Sequence, residues 1–211
     1  LRRERRSSVA GEVEYAFRHL LVRDVAYGQI PRGVRADKHR VAARWIESLG
    51  RPEDHAEMLA HHYLSALELS RAAGQPTADI AEGARDALRE AGDRASSLNS
   101  FGAAVRFYDE ALAVGSFDHA DRADVRFRRA KALHLAAGEE RDEALEEARK
   151  ALLEVGDFER AAEADALLAE VWWHRGNRDR SRDHLDRAHA LVEELPPSAG
   201  KAHVLSQVSR Y

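Results

Sequence analysis

The chain has 211 residues, 33 Lys and Arg against 37 Asp and Glu, and no cysteine. A net charge of −4 with an isoelectric point near 6.3 supplies no basic field to attract nucleic acid or an anionic membrane, and the missing cysteines exclude disulfides, thiolate catalysis and sulfur-based zinc sites. A charged fraction of 33% with 7% aromatics is the composition of exposed helices, so an all-α protein with a sizeable core is the first expectation.

No apolar run reaches the roughly eighteen residues of a membrane span, and no secretory leader opens the chain. A reducing cytoplasm is the expected location. Leu1 in place of an initiator methionine, and a last stretch to Tyr211 without a helix-stop signal, lead to the expectation that this is a piece of a longer protein.

Taken in order, Val13, Tyr15 and Phe17 alternate with Glu12, Glu14 and Ala16 behind a turn at Ala10-Gly11. That period of two predicts a short β-hairpin, with Arg2, Arg3, Arg5 and Arg6 keeping its first arm solvated. From Arg18 the period lengthens, placing Phe17, Leu20, Leu21 and Val25 on one side of a helix that closes at Gly28 and Pro31. A second helix runs from about Arg32 to Leu49 with Val41, Ala42, Trp45 and Ile46 as its expected buried face, ending at Gly50-Arg51-Pro52. The third carries Ala56, Leu59, Ala60, Tyr63, Leu64 and Leu67 to about Ala73, and after Gly74-Gln75-Pro76 a fourth, N-capped by Thr77, reaches about Leu98.

The stretch from Ser100 to Val114 is the clearest copy of a recurring pattern. Ala104, Tyr108, Ala111 and Leu112 fall at i, i+4, i+7 and i+8, one stripe of a helix. The stripe returns as Ala144, Ala148, Ala151 and Leu152 after 40 residues, and as Ser181, Leu185, Ala188 and His189 after 37 more. Small residues at these positions let a neighbouring helix approach, Tyr108 fills the space left over, and Gly92 in the preceding helix marks a tight crossing. Each copy is the second helix of a pair whose first members start near Thr77, Asp121 and Asp157. Turn signals separate them at Gly115-Ser116, Gly138, Gly156-Asp157, Gly176-Asn177 and Pro196-Pro197, and a last helix is expected from Ser198 to Tyr211. This period belongs to helical-hairpin solenoids, whereas no apolar heptad survives the breaks as a coiled coil requires.

Gly92, Ala104, Tyr108 and Ala111, together with Leu168, Trp172, Gly176, Leu185 and Ala188, resemble the tetratricopeptide repeat signature over most of residues 87–197. The resemblance implies a right-handed α-α superhelix, a TPR-like solenoid, with Gly92, Ala104, Tyr108, Ala111, Ala144, Ala151, Trp172 and Ala188 as its packing residues. Ala148 stands where a bulky residue is usual, Ser181 replaces an alanine, and Gly138 lies one residue further than usual from Ala144. Upstream, Phe17, His19, Leu21, Arg23, Asp24, Ala26, Tyr27, Arg35 and His39 are similar to the segment joining an ATPase module to helical repeats in bacterial signalling ATPases, with Lys38 departing from the usual apolar residue before His39. Such proteins often carry a class III nucleotide cyclase domain or a DNA-binding domain. That likeness implies a winged-helix-like element for the hairpin, and a division into a junction over residues 1–50 and repeats over residues 51–211.

Chemistry is hard to find. Neither G-x-x-x-x-G-K-[ST], G-x-G-x-x-G nor G-x-S-x-G occurs. His55 and His62 share a helix face but stand about 10 Å apart along it, and His61 points about 100° away from His62, so no metal site is expected there. His19 and His39 are expected to hydrogen-bond within the junction. The carboxylates between Glu139 and Glu147 read as solvent-facing, and Arg178 to Asp183 sets three arginines against two aspartates, leaving too little positive charge for nucleic-acid binding. Trp172 and Trp173 diverge by about 100°, so only one enters the core; with Trp172 inward, Trp173 turns toward a groove with His174, Arg175 and Arg89. The sequence thus predicts no catalytic residue and no cofactor. It predicts a regulatory scaffold of a larger bacterial signalling ATPase or cyclase-linked protein, binding a protein, a peptide or its own other domains; the alternative is a free-standing adaptor or transcription regulator sensing a peptide or small effector.

Overall fold

Short turns dictate how this chain folds back on itself. In the computed structural model, residues 2–5, 7, 11–50, 52–115 and 117–210 are described, so the expectations for Leu1, Arg6, Ala10, Arg51, Ser116 and Tyr211 lie outside the described residues. Strand β1 (Arg2–Arg3) pairs antiparallel with β2 (Tyr15–Ala16), Arg2 opposite Ala16 and Arg3 opposite Tyr15. The helices follow: α1 (Leu20–Gly28), α2 (Arg32–Ser48), a 3-10 turn (Pro52–His55), α3 (Ala56–Ala72), α4 (Ala78–Ser97) and α5 (Phe101–Val114). After them come α6 (His119–Leu135), α7 (Arg141–Glu154), α8 (Phe158–His174), α9 (Arg178–Glu193) and α10 (Ala199–Val208). Helices α2 and α3, α4 and α5, α6 and α7, and α8 and α9 pair as hairpins; each pair leans on the next through α3–α4, α5–α6 and α7–α8, and α10 packs on α8 and α9. The protein is an all-α array of stacked helical hairpins with a small two-stranded ribbon at its start. No described helix is long and apolar enough to cross a membrane.

Five of the turns share one device. After α3, α4, α6, α7 and α8 a residue takes a left-handed backbone, and two backward N–H to carbonyl bonds close the helix end, for example Gly176 N to Trp173 O at 3.0 Å and Asn177 N to Trp172 O at 2.9 Å. Glycine supplies that conformation at Gly74, Gly156 and Gly176, asparagine at Asn99 (φ 58°), and an alanine, Ala137 (φ 55°), after α6. The sequence pointed to Gly138, but the left-handed residue is the one before it. Asp118, Asp157, Asn177 and Ser198 cap the helices that follow them by accepting from backbone N–H groups three residues on, and at Asp157 and Asn177 the residue whose N–H closes one helix caps the next. Because Asp118 is the cap, α6 begins at His119, two residues before Asp121. Thr77 stands at the start of α4 without a side-chain cap bond.

Packing follows the small-residue stripes. Ala104, Ala111, Ala148 and Ala188 are wholly buried, Tyr108 nearly so, and Ala144 and Ala151 are buried at the repeat positions. A Cβ on Gly92 would lie 2.8 Å from Cδ1 and Cζ of Tyr108, so only glycine lets the ring lie against the α4 backbone. The Tyr108 hydroxyl completes the contact by donating to Asp93 at 2.7 Å. One cluster of buried side chains runs from Ala43 in α2 to Ala132 in α6, a second spans α6 to α8, and a third joins α8, α9 and α10.

Several expected faces are rotated or bare. On α2 the buried side chains are Ala36, Ala43 and Ile46, while Val41 is 58% exposed and Trp45 38%. Helix α3 approaches across Ala43, where a small residue permits contact, and this turns the larger side chains outward. Helix α1 has no buried residue, and Leu20, Leu21, Val25 and Phe17 all face solvent, since no described element packs broadly over it. The ribbon is shorter than the alternation predicts for the same reason: Val13 and Phe17 find no apolar layer to cover and fall outside it. On α9, His189 is exposed and His184 is buried in its place, because the contact stripe runs through Ser181, Leu185, Ala188 and Val192.

Alanine in the left-handed region costs roughly 1–2 kcal/mol, which glycine avoids. Replacing Ala137 with glycine is therefore expected to stabilise the fold by about 1 kcal/mol, read as a higher urea midpoint with an unchanged m-value; a lower midpoint contradicts the assigned turn.

Candidate functional site

Helices α4, α5 and α6, with Arg160 of α8, line a groove of about 610 Å³. Its apolar surface comes from Phe101, Phe127, Ala132 and Leu135, and its charged wall from Asp93, Asp124, Arg128, Lys131 and Arg160. These charges form a ladder. Arg128 donates through Nη1 to Asp93 at 2.8 Å and through Nε to Asp124 at 2.7 Å, while Asp124 also pairs with Arg160, which holds Asp157 at 2.6 Å. Lys131 reaches Glu163 at 2.6 Å. The ladder binds three successive hairpins along one face, and its half-exposed rungs contribute at most about 1 kcal/mol each. Burial pushes the Tyr108 hydroxyl well above its ordinary range, so it stays a donor to Asp93 at neutral pH. In sequence the ladder shows only as Asp-x-x-x-Arg at 124 and 128 and Asp-x-x-Arg at 157 and 160, the spacing of ordinary surface pairs.

Arg89, Trp173, His174 and Arg175 are not among the side chains lining this groove. Arg175 forms a two-pronged pair with Asp142 at 2.6 and 2.9 Å, which holds the Asp142 carboxyl below its ordinary range. His174 lies 3.6 Å from Glu170, and Arg89 3.7 Å from Asp86. Trp172 is half-buried and does not enter the core; Leu168 and Val171 do. The two indoles serve as platforms for cations. Arg175 and Arg180 sit 5.0 and 4.4 Å from the Trp172 ring centre, and Arg178 sits 3.2 Å from that of Trp173.

A second polar cluster lies inside the array. Asp165 on α8 is completely buried, accepting from Arg149 Nε on α7 at 2.6 Å and meeting His184 Nδ1 on α9 at 2.8 Å. Glu146 stands 3.8 Å from His184 and 3.9 Å from Arg149. Three helices from two hairpins thus share one carboxylate. The only sequence signal is an aspartate at a core position of the alanine-rich α8.

The third cluster joins α2 to α3. His39 Nδ1 lies 2.9 Å from His62 Nδ1, and the His39 Nε2 lies 2.9 Å from the Tyr27 hydroxyl. The potential ligand atoms of His39, His61 and His62 all fall within 4.8 Å of one another. Burial, reinforced by the neighbouring imidazoles, lowers the His62 pKa to about 4 and also depresses that of His39. His39 does hydrogen-bond to a neighbour near the start of the chain, Tyr27, and the packing of α2 on α3 also carries this side chain across to α3. His55 is not part of the group. Periodicity along α3 considered only His55, His61 and His62, so the partner from α2 went unseen.

No family model and no curated protein matches the chain. Among solved structures it is similar to MamA, at 13% identity and a TM-score of 0.44 over 85% of this chain and 98% of that one. It is also similar to YrrB, a TPR protein with an unusual peptide-binding site, at 16% identity and a TM-score of 0.32 over 88% and 96%.

Removing one partner of a buried ion pair leaves the other charge uncompensated, at a cost of about 3–5 kcal/mol. Arg149→Leu is accordingly expected to destabilise the protein by about 3 kcal/mol, the remaining His184 contact holding the loss to the lower end. Chemical denaturation showing a loss under about 1 kcal/mol would mean that Asp165 does not depend on Arg149.

Proposed function

We propose that the chain is a non-enzymatic interaction and regulatory scaffold whose groove along α4, α5 and α6 receives a peptide segment or another domain of the same protein. The observation that carries this reading is the groove itself: apolar side chains form its surface, fixed charges border it, and those charges are partnered with one another. Such a surface offers apolar anchoring with a polar rim, the arrangement that recognises protein segments. The charges act as shape and specificity elements, held in place across three hairpins.

The finer reading places this scaffold behind an ATPase module of a cytoplasmic bacterial signalling protein, in some relatives linked to a nucleotide cyclase. Supporting it are the likeness of Phe17 to His39 to the junction of such proteins and the uncovered apolar surface of α1, where Leu20 is 67% exposed and Leu21 79%. Contiguous apolar surface of this kind on a soluble element marks a contact with another folded unit.

Two measurements test the levels separately. Selection of a displayed peptide library on the purified chain is expected to enrich sequences whose binding falls at least tenfold in Leu135→Asp, with the thermal midpoint unchanged because Leu135 is half exposed; peptides indifferent to that substitution, or no enrichment, count against the groove. For the junction, the coding region immediately upstream should encode a phosphate-binding loop, and a complete reading frame without one removes the ATPase context while leaving the scaffold reading intact.

A further inference from the structure

We infer that His39, His61 and His62 form a binding site for a divalent transition-metal ion of the zinc class, bridging α2 and α3. The inference is independent of the groove and of the junction reading. Three imidazoles converge from two helices, with ring centres 5.1 to 6.0 Å apart, and none of the three is committed to a carboxylate in the contacts described above. An all-imidazole donor set suits zinc, copper or nickel and discriminates against magnesium and calcium, which take oxygen ligands. Three histidines with one open position are a known zinc arrangement.

Geometry favours His39 and His62 as the first two ligands. Their Nδ1 atoms face each other at 2.9 Å, and without an ion one of them must carry the proton the other accepts. A tetrahedral ion with bonds of about 2.0–2.1 Å holds two nitrogens about 3.3–3.4 Å apart, so an opening of a few tenths of an ångström lets the metal take the place of that shared proton. His39 is already set for this. With Nδ1 on the metal, its Nε2–H donates to the Tyr27 hydroxyl, the outer contact that fixes tautomer and ring orientation at metal-binding histidines. His61 is exposed and has room to swing its ring toward the other two.

The charges around the site are mixed in effect. Arg35 packs over the Tyr27 ring at 4.9 Å and bears on His39 as a cation, which works against a doubly charged ion. Burial works the other way by keeping His39 and His62 neutral, the protonation state a ligand needs. The chain contains no cysteine to compete for the metal.

The test uses untagged, chelator-treated protein titrated with Zn²⁺ by calorimetry. One ion per chain is expected, with a dissociation constant in the micromolar range or below and a raised thermal midpoint. His61→Gln, at an exposed position, should weaken binding at least tenfold while leaving the metal-free midpoint in place, and the His39→Gln/His62→Gln double variant should abolish the one-to-one phase. His203→Gln, on exposed α10 surface, should change nothing. Absence of saturable binding, or a one-to-one phase that survives either cluster variant with unchanged affinity, overturns the inference. If the double variant fails to fold, the His61→Gln affinity decides alone.

Discussion

How near two helices can come is the quantity on which this protein depends. Alanines at Ala84, Ala91, Ala104, Ala111, Ala148, Ala161 and Ala164 are wholly buried, and Gly92 removes even the methyl group where the Tyr108 ring crosses α4. With side chains this small, backbones rather than long residues set the spacing, and a single large ring fills what would otherwise be a void. Repeating that contact at similar intervals makes each hairpin a template for the next. The array follows from local closeness multiplied along the chain.

Close packing leaves little room for charge inside, yet the chain is one-third charged. The charges are placed in two ways. Six of those along α4, α6 and α8, Asp93, Asp124, Arg128, Lys131, Arg160 and Glu163, join into a part-exposed ladder at the groove, where water still screens them and position matters more than energy. Asp165 is the exception. Its carboxylate is fully desolvated and is tolerated only because Arg149 and His184 reach it from the helices on either side. A contact of that kind specifies which helices must meet, since any other register strands the charge.

The start of the chain obeys a different rule. The ribbon and α1 display apolar side chains without covering them, whereas α2 is drawn into the array by α3 and contributes Ala43 and Ile46 to the first buried cluster. Tyr27 is the link between these regions, bound through its hydroxyl to His39 and through its ring to Arg35. The histidine cluster therefore sits where the exposed start of the chain and the packed array meet.

By itself the sequence determined the helices, their pairing and the repeat faces, because periodicity, caps and glycines act over a few residues and leave their mark in linear order. Ala104, Tyr108, Ala111 and Gly92 were readable for that reason, as were the turns at Gly156 and Gly176. It misjudged α2, where two stripes competed and only the approach of α3 chose Ala43 over Val41. It also misjudged Trp172, whose partners Arg175 and Arg180 come from the turn and the next helix. The groove ladder, the Asp165 cluster and the meeting of His39 with His62 were decided by tertiary structure alone. Each brings together side chains between 16 and 38 residues apart, apart from the local pairs within a helix turn, and at such separations the helix period carries no information about which side chains will share a space.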